Sequence, residues 1–140
     1  MTPRFNSFIG FIFEWEGTTF ENDPSDPGGA TKYGVDQRSH PGVDIKNLTR
    51  EGAEAIYFEE WTAEKIESMP EGLGEVYFNA CVNCGQGRAN KLIALSSNAK
   101  EFLDHQDAFY RRLVTARPKS AKFLKGWLNR TAALRKRFSL

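Results

Sequence analysis

The 140-residue sequence predicts a mainly α-helical protein of about six helices, with a small irregular or β-hairpin lobe near the N-terminus. Two observations carry that prediction. Apolar residues recur at helical spacing in the first 16 residues and again from about residue 49 to the end. Between them, residues 18–47 hold no long period and are rich in Gly, Pro and Asp, the residues of turns.

The elements follow in order. Thr2 is placed to cap a first helix, with Pro3 at its first position. Phe5, Phe8, Ile9, Ile12 and Phe13 then form one wide apolar stripe, and Gly17 reads as a left-handed stop. Asp23-Pro24, Asp26-Pro27 and Gly28-Gly29 signal turns, and His40-Pro41-Gly42 signals another. Thr31 to Val35 reads as a short strand, half of a small hairpin at most. A second helix opens after Thr49, with Glu51 in its first turn. Ala53, Ile56, Tyr57 and Trp61 carry it, and a further piece from Thr62 to Ser68 ends before Pro70. Gly72 to Cys84 reads as a strongly apolar third helix, broken by Gly85 and Gly87. Arg88 to Leu95 is a short fourth. Ala99 to Ala116 is a fifth, with Phe102, Phe109, Leu113 and Val114 inward, ended by Pro118. Ser120 caps a sixth, whose core face is Phe123, Leu124, Trp127, Leu128 and Leu134.

Composition narrows the class. A hydrophobic share of 40% and an aromatic share of 13% suit one globular domain over residues 1–140 and exclude a disordered chain. The longest apolar run, Phe8 to Phe13 around Gly10, is far short of the roughly 20 residues a membrane helix needs. It also lacks a cleavage site, so synthesis in the cytoplasm without a signal peptide is expected. Net charge is +1, yet every Asp and Glu lies at or before Asp107, and ten Lys and Arg follow it. That cationic end suits a polyanion: nucleic acid, acidic lipid or a bacterial envelope. It equally suits a solvated helix face with no partner. Cys81 and Cys84 form a CxxC pair. The two His, His40 and His105, are isolated, which disfavours zinc and leaves reduced core thiols as the expectation.

The chemistry concentrates in EWEGTTFENDPSDPGGATKYGVD, from Glu14 to Asp36, which holds six acids. Glu16 ends the first helix, where the dipole disfavours an ionised carboxylate. Desolvation by neighbours such as Trp15 would act in the same direction. A carboxyl kept protonated near neutral pH can serve as a general acid, as cleavage of a glycosidic bond requires. A plain surface carboxylate is the bland alternative. Glu14 is a rival that points the other way on the helix. Asp26 and Asp23 are candidates for a second carboxylate, and either can instead be a turn or cap residue. Thr31 could hold a water. On the third helix, Asn79 and Asn83 lie four apart on one face, with Tyr77 nearby. They read equally as sugar contacts in a groove or as buried amides satisfied by backbone.

These residues resemble the opening of glycoside hydrolase family 108, carried by EG followed by NDPSDPGGATKYG. NACVNCGQGRANKLI is similar to that family's Asn-rich helix and Gly turn. FYRRLVTARPKSAKFLKGWLNR is similar to its C-terminal helical region, often described as peptidoglycan-binding. The chain reads EGTTFENDP where the family often has EGGYVNDP, one residue longer and without the second Gly.

The resemblance implies a lysozyme-like fold and an N-acetylmuramidase of bacteria or their phages. It maps the proposed catalytic acid to Glu16, before Gly17. By similarity of layout it suggests Asp26 and Thr31 as partners. Tyr33, Tyr77, Asn79 and Asn83 become expected groove contacts, and the helices from about residue 72 the peptidoglycan-binding wall. The implied partner is peptidoglycan, with the basic end drawn to the anionic envelope. No metal, cofactor or nucleic acid is implied, and a monomer is expected. A phage endolysin released by a holin fits the lack of a signal peptide. The rivals are a lytic transglycosylase and a non-catalytic wall-binding or secretion-accessory protein.

Overall fold

The computed structural model describes residues 1–25 and 27–140. The chain divides into two compact units, Met1–Glu67 and Ser68–Leu140.

The first unit is built on α1 (Pro3–Glu16) and α2 (Arg50–Ala63). Each begins where the sequence provides a cap. Thr2 Oγ1 accepts from the Phe5 amide at 3.1 Å, and Thr49 Oγ1 from the Gly52 amide at 3.0 Å. The stripe of α1 buries Phe5, Phe8, Ile9, Ile12 and Phe13, and Phe11 with them. Phe5 meets Phe58 and Trp61 of α2 edge-on, at 5.1 and 5.4 Å between ring centres. Each fully buried aromatic of this kind contributes about 1.5–3 kcal/mol. Gly17 ends α1 with a positive φ of 85°, but its ψ of 168° is extended, not left-handed helical. After α2, Lys65 takes a φ of 57° and the piece expected from Thr62 shrinks to one 3-10 turn, Ile66–Ser68.

Thr31 to Val35 is not one strand. It holds β1 (Thr31–Lys32), a turn, and the start of β2 (Val35–Asp36), paired antiparallel with Thr31 opposite Asp36 and Lys32 opposite Val35. The turn residues Tyr33 and Gly34 both have positive φ, 56° and 78°, as a tight hairpin requires. On the other edge, Glu21 and Thr31 exchange both backbone hydrogen bonds at 2.8 Å, forming an isolated bridge. Val35 faces the core, 1% exposed.

The second unit holds α3 (Leu73–Cys84), α4 (Gln86–Ala94), α5 (Ala99–Ala116) and α6 (Ala121–Phe138). Here α3 packs on α4 and α5, and α5 on α6. Gly85 separates α3 from α4, whereas Gly87 lies inside α4 and breaks nothing. The buried face of α5 is Ala99, Phe102, Leu103, Gln106 and Tyr110, with Phe109, Leu113 and Val114 only half-buried. The expected core face of α6 is corrected more strongly. Leu134 is buried as expected, but Phe123 is 52% exposed, Leu124, Trp127 and Leu128 are only half-buried, and Arg130 and Thr131 are buried in their place. Both polar side chains are hydrogen-bonded to other helices: Arg130 Nε donates to Asn79 Oδ1 at 2.9 Å, and Thr131 Oγ1 to Asp107 at 2.6 Å. Cys81 and Cys84 are reduced thiols, half-buried. The chain is thus mainly helical, with six helices and one two-stranded sheet among the described residues, as a lysozyme-like fold requires.

Candidate active site

Glu16 is the last residue of α1, and its half-buried side chain opens on a cleft in the first unit. The cleft has a volume of about 180 Å³. Its walls are Glu16, Gly17, Thr19, Glu21, Thr31, Lys32 and Gly34. α1 supplies the carboxyl and the hairpin supplies the facing wall.

One contact fixes the two against each other. A methyl group at Gly34 would lie 2.8 Å from both Cβ and Cγ of Glu16 and 2.5 Å from Tyr57 Oη. The hairpin therefore approaches the Glu16 side chain as closely as a glycine allows. Tyr57, buried on α2, donates its hydroxyl to the Tyr33 carbonyl at 2.8 Å and so ties the turn down. Phe13 packs edge-on against the Tyr33 ring at 5.5 Å. Helix end, hairpin tip and α2 converge on one carboxylate.

The other predicted site residues divide. Thr31 lines the cleft with Glu16. Tyr33 is half-buried at the turn, its ring beneath the Lys32 ammonium at 5.6 Å. Asp26 lies outside the described residues. Asp23 is exposed, and its carboxylate accepts from the Ser25 amide at 2.9 Å and from the Ser25 hydroxyl at 2.8 Å. Those two bonds hold its pKa below the ordinary range. Asp23 thus takes the turn role that its place before Pro24 suggests.

On α3, Tyr77 is buried and donates to Asn90 Oδ1 at 2.5 Å. Asn79 is fully buried beside Arg130, so it follows the buried-amide reading, with a side chain as partner in place of backbone. Asn83 is half-buried and donates to Tyr110 Oη at 2.5 Å. Burial pushes the Cys84 thiol up, against the opposing bonds to Tyr110 and Gln106.

A sequence model of the family described as Glycosyl hydrolase 108 matches residues 9–85, more than half of the chain. The chain belongs to this family. The match takes in the whole of the cleft and its hairpin and runs on through α3 of the second unit. No curated protein matches the chain. Among solved structures it is similar to SagA of Brucella abortus, at 22% identity and a TM-score of 0.73. That likeness covers 95% of this chain and 92% of the other, and it is a likeness of fold.

Glu21, like Thr19 and Lys32, lines the cleft without having been singled out from the sequence. It stood among six acids in a segment without period, and its place depends on the backbone bridge to Thr31. Gly34 alone carried a turn signal, because a two-residue hairpin turn needs positive φ at its second position.

Proposed function

We propose that this glycosyl hydrolase is an N-acetylmuramidase that cleaves the β-1,4 bond between N-acetylmuramic acid and N-acetylglucosamine in peptidoglycan. The observation that carries the reading is the placement of Glu16. It ends a helix, opens on a cleft with Thr31, and is held by the glycine tip of a hairpin. Glu16 protonates the leaving oxygen. Asp26 is the proposed second carboxylate, which orients water or stabilises the cationic transition state, and Thr31 positions the water. Tyr33 and Asn83 are proposed glycan contacts.

The whole chain is proposed to act as one lysozyme-like domain and as a monomer. The second unit is proposed to bind the wall through its cationic face. Eight of the ten cations after Asp107 are exposed: Arg111, Arg112, Arg117, Lys119, Lys122, Lys125, Lys136 and Arg137. Attraction of this kind weakens with salt. Such an enzyme suits a phage endolysin, made in the host cytoplasm and reaching the wall after holin-type release.

The test is Glu16→Gln on purified peptidoglycan, read by release of reducing ends and product mass. Hydrolysis adds water, whereas a transglycosylase leaves an anhydro-muramic end without it. The variant is expected to lose at least about 100-fold in rate, the scale of a general acid. Full lytic activity in the variant would remove Glu16 from the mechanism.

A further inference from the structure

The cleft holds a second described carboxylate, and three observations bear on it. Glu21 and Glu16 line the same cleft. Glu21 is fixed at the backbone by its reciprocal bonds to Thr31 at 2.8 Å. Residues directly opposite across antiparallel strands project to the same face, so the Glu21 side chain stands beside that of Thr31. The side chain is exposed, so its carboxylate is open to water.

We propose that Glu21 is the general base that takes the proton of the attacking water, which leaves Asp26 an electrostatic duty. The proposal rests on the assignment of Glu16 as the acid. The step balances as follows. Glu16 gives its proton to the glycosidic oxygen, and the anomeric C–O bond breaks with its electron pair passing to that oxygen. The water oxygen bonds to the anomeric carbon from the opposite face, and the water proton passes to the Glu21 carboxylate. One water is consumed, the anomeric configuration inverts, and solvent restores both carboxyls. Sequence alone hides this pairing, because five positions along an irregular segment say nothing about which side chains meet.

The experiment compares wild type with Glu21→Gln, Asp26→Asn and Glu16→Gln on soluble, uncross-linked glycan strands, with and without sodium azide. Glu21→Gln is expected to lose at least about 100-fold in turnover. Azide needs no base and restores much of that loss, giving a glycosyl azide of inverted configuration. Glu16→Gln is not rescued. Because Glu21 is exposed and anchored through its backbone, the variant is expected to melt with wild type.

Turnover of Glu21→Gln within threefold of wild type overturns the proposal and leaves Glu16 standing. So does a slowed, folded variant that azide fails to rescue. A wild-type product of retained configuration, or with an anhydro end, also overturns it. Loss in Glu16→Gln is read separately and decides the acid alone.

Discussion

Replacing Gly34 with Ala isolates the contact that holds the hairpin against Glu16. Two costs add at this position. Its φ of 78° is a conformation L residues enter at about 1–2 kcal/mol. The new methyl group would meet Glu16 Cβ and Cγ at 2.8 Å and Tyr57 Oη at 2.5 Å, and overpacking of this sort costs about 1–3 kcal/mol. If Tyr57 gives way, its bond to the Tyr33 carbonyl goes too, a further ~1 kcal/mol. The total is about 3–6 kcal/mol. At about 3–4 °C per kcal/mol for a chain of this length, Tm falls by about 10–25 °C.

Gly29 provides the control. Its φ is 75°, but an added methyl would meet nothing closer than Gln37 Cβ at 3.8 Å. Gly29→Ala therefore carries the conformational cost without the clash, about 3–8 °C. Thermal melts followed by circular dichroism measure both. In a Tyr57→Phe background, Gly34→Ala should cost about 1 kcal/mol less, since the hydroxyl is gone. Reducing-end release from Gly34→Ala, assayed well below its Tm, should fall more than tenfold as Glu16 is displaced. If Gly34→Ala and Gly29→Ala melt within about 2 °C of each other, the contact with Glu16 does not constrain the fold.

Two further outcomes follow from the second unit. Asn79→Ala removes the acceptor of the buried Arg130 Nε and should cost about 2–3 kcal/mol in urea unfolding. Asn79→Leu with Arg130→Met should recover much of that loss, because neither partner is then left unmatched. Asp104 is held below the ordinary aspartate range, first by the Lys100 hydrogen bond and then by Arg135. Its folded pKa thus lies below the unfolded value, so its stabilisation is present above that value and is lost as pH falls through the folded one. The small stability gap between wild type and Asp104→Asn should therefore close in acid below about pH 4, and should shrink with added salt at neutral pH.

Helix starts were legible because capping is local. Thr2 and Thr49 accept their amides as their positions predict. The core face of α6 was not. Phe123, Leu124, Trp127, Leu128 and Leu134 keep helical spacing, yet only Leu134 of them is buried, and Arg130 and Thr131 are buried with it. Their burial depends on Asn79 and Asp107, which lie on other helices far off in sequence. The hairpin was misjudged in extent because Tyr at φ 56° is an uncommon turn residue that nothing in its side chain announces. At the site, Glu16 could be singled out from its conflict with the helix end. Glu21 could not, since two backbone hydrogen bonds place it and no side-chain pattern does.

Those two bonds have a consequence for how the protein can be changed. Glu21 and Thr31 clasp the ends of the segment between them, so its length is decoupled from the positions of its ends. Lengthening a closed loop is inexpensive, about 0.6 kcal/mol per doubling. The clasp thus holds Glu21 and Thr31 together whatever the length between them, so a short insertion next to Ser25 should leave both residues in place and leave the melting temperature close to that of wild type.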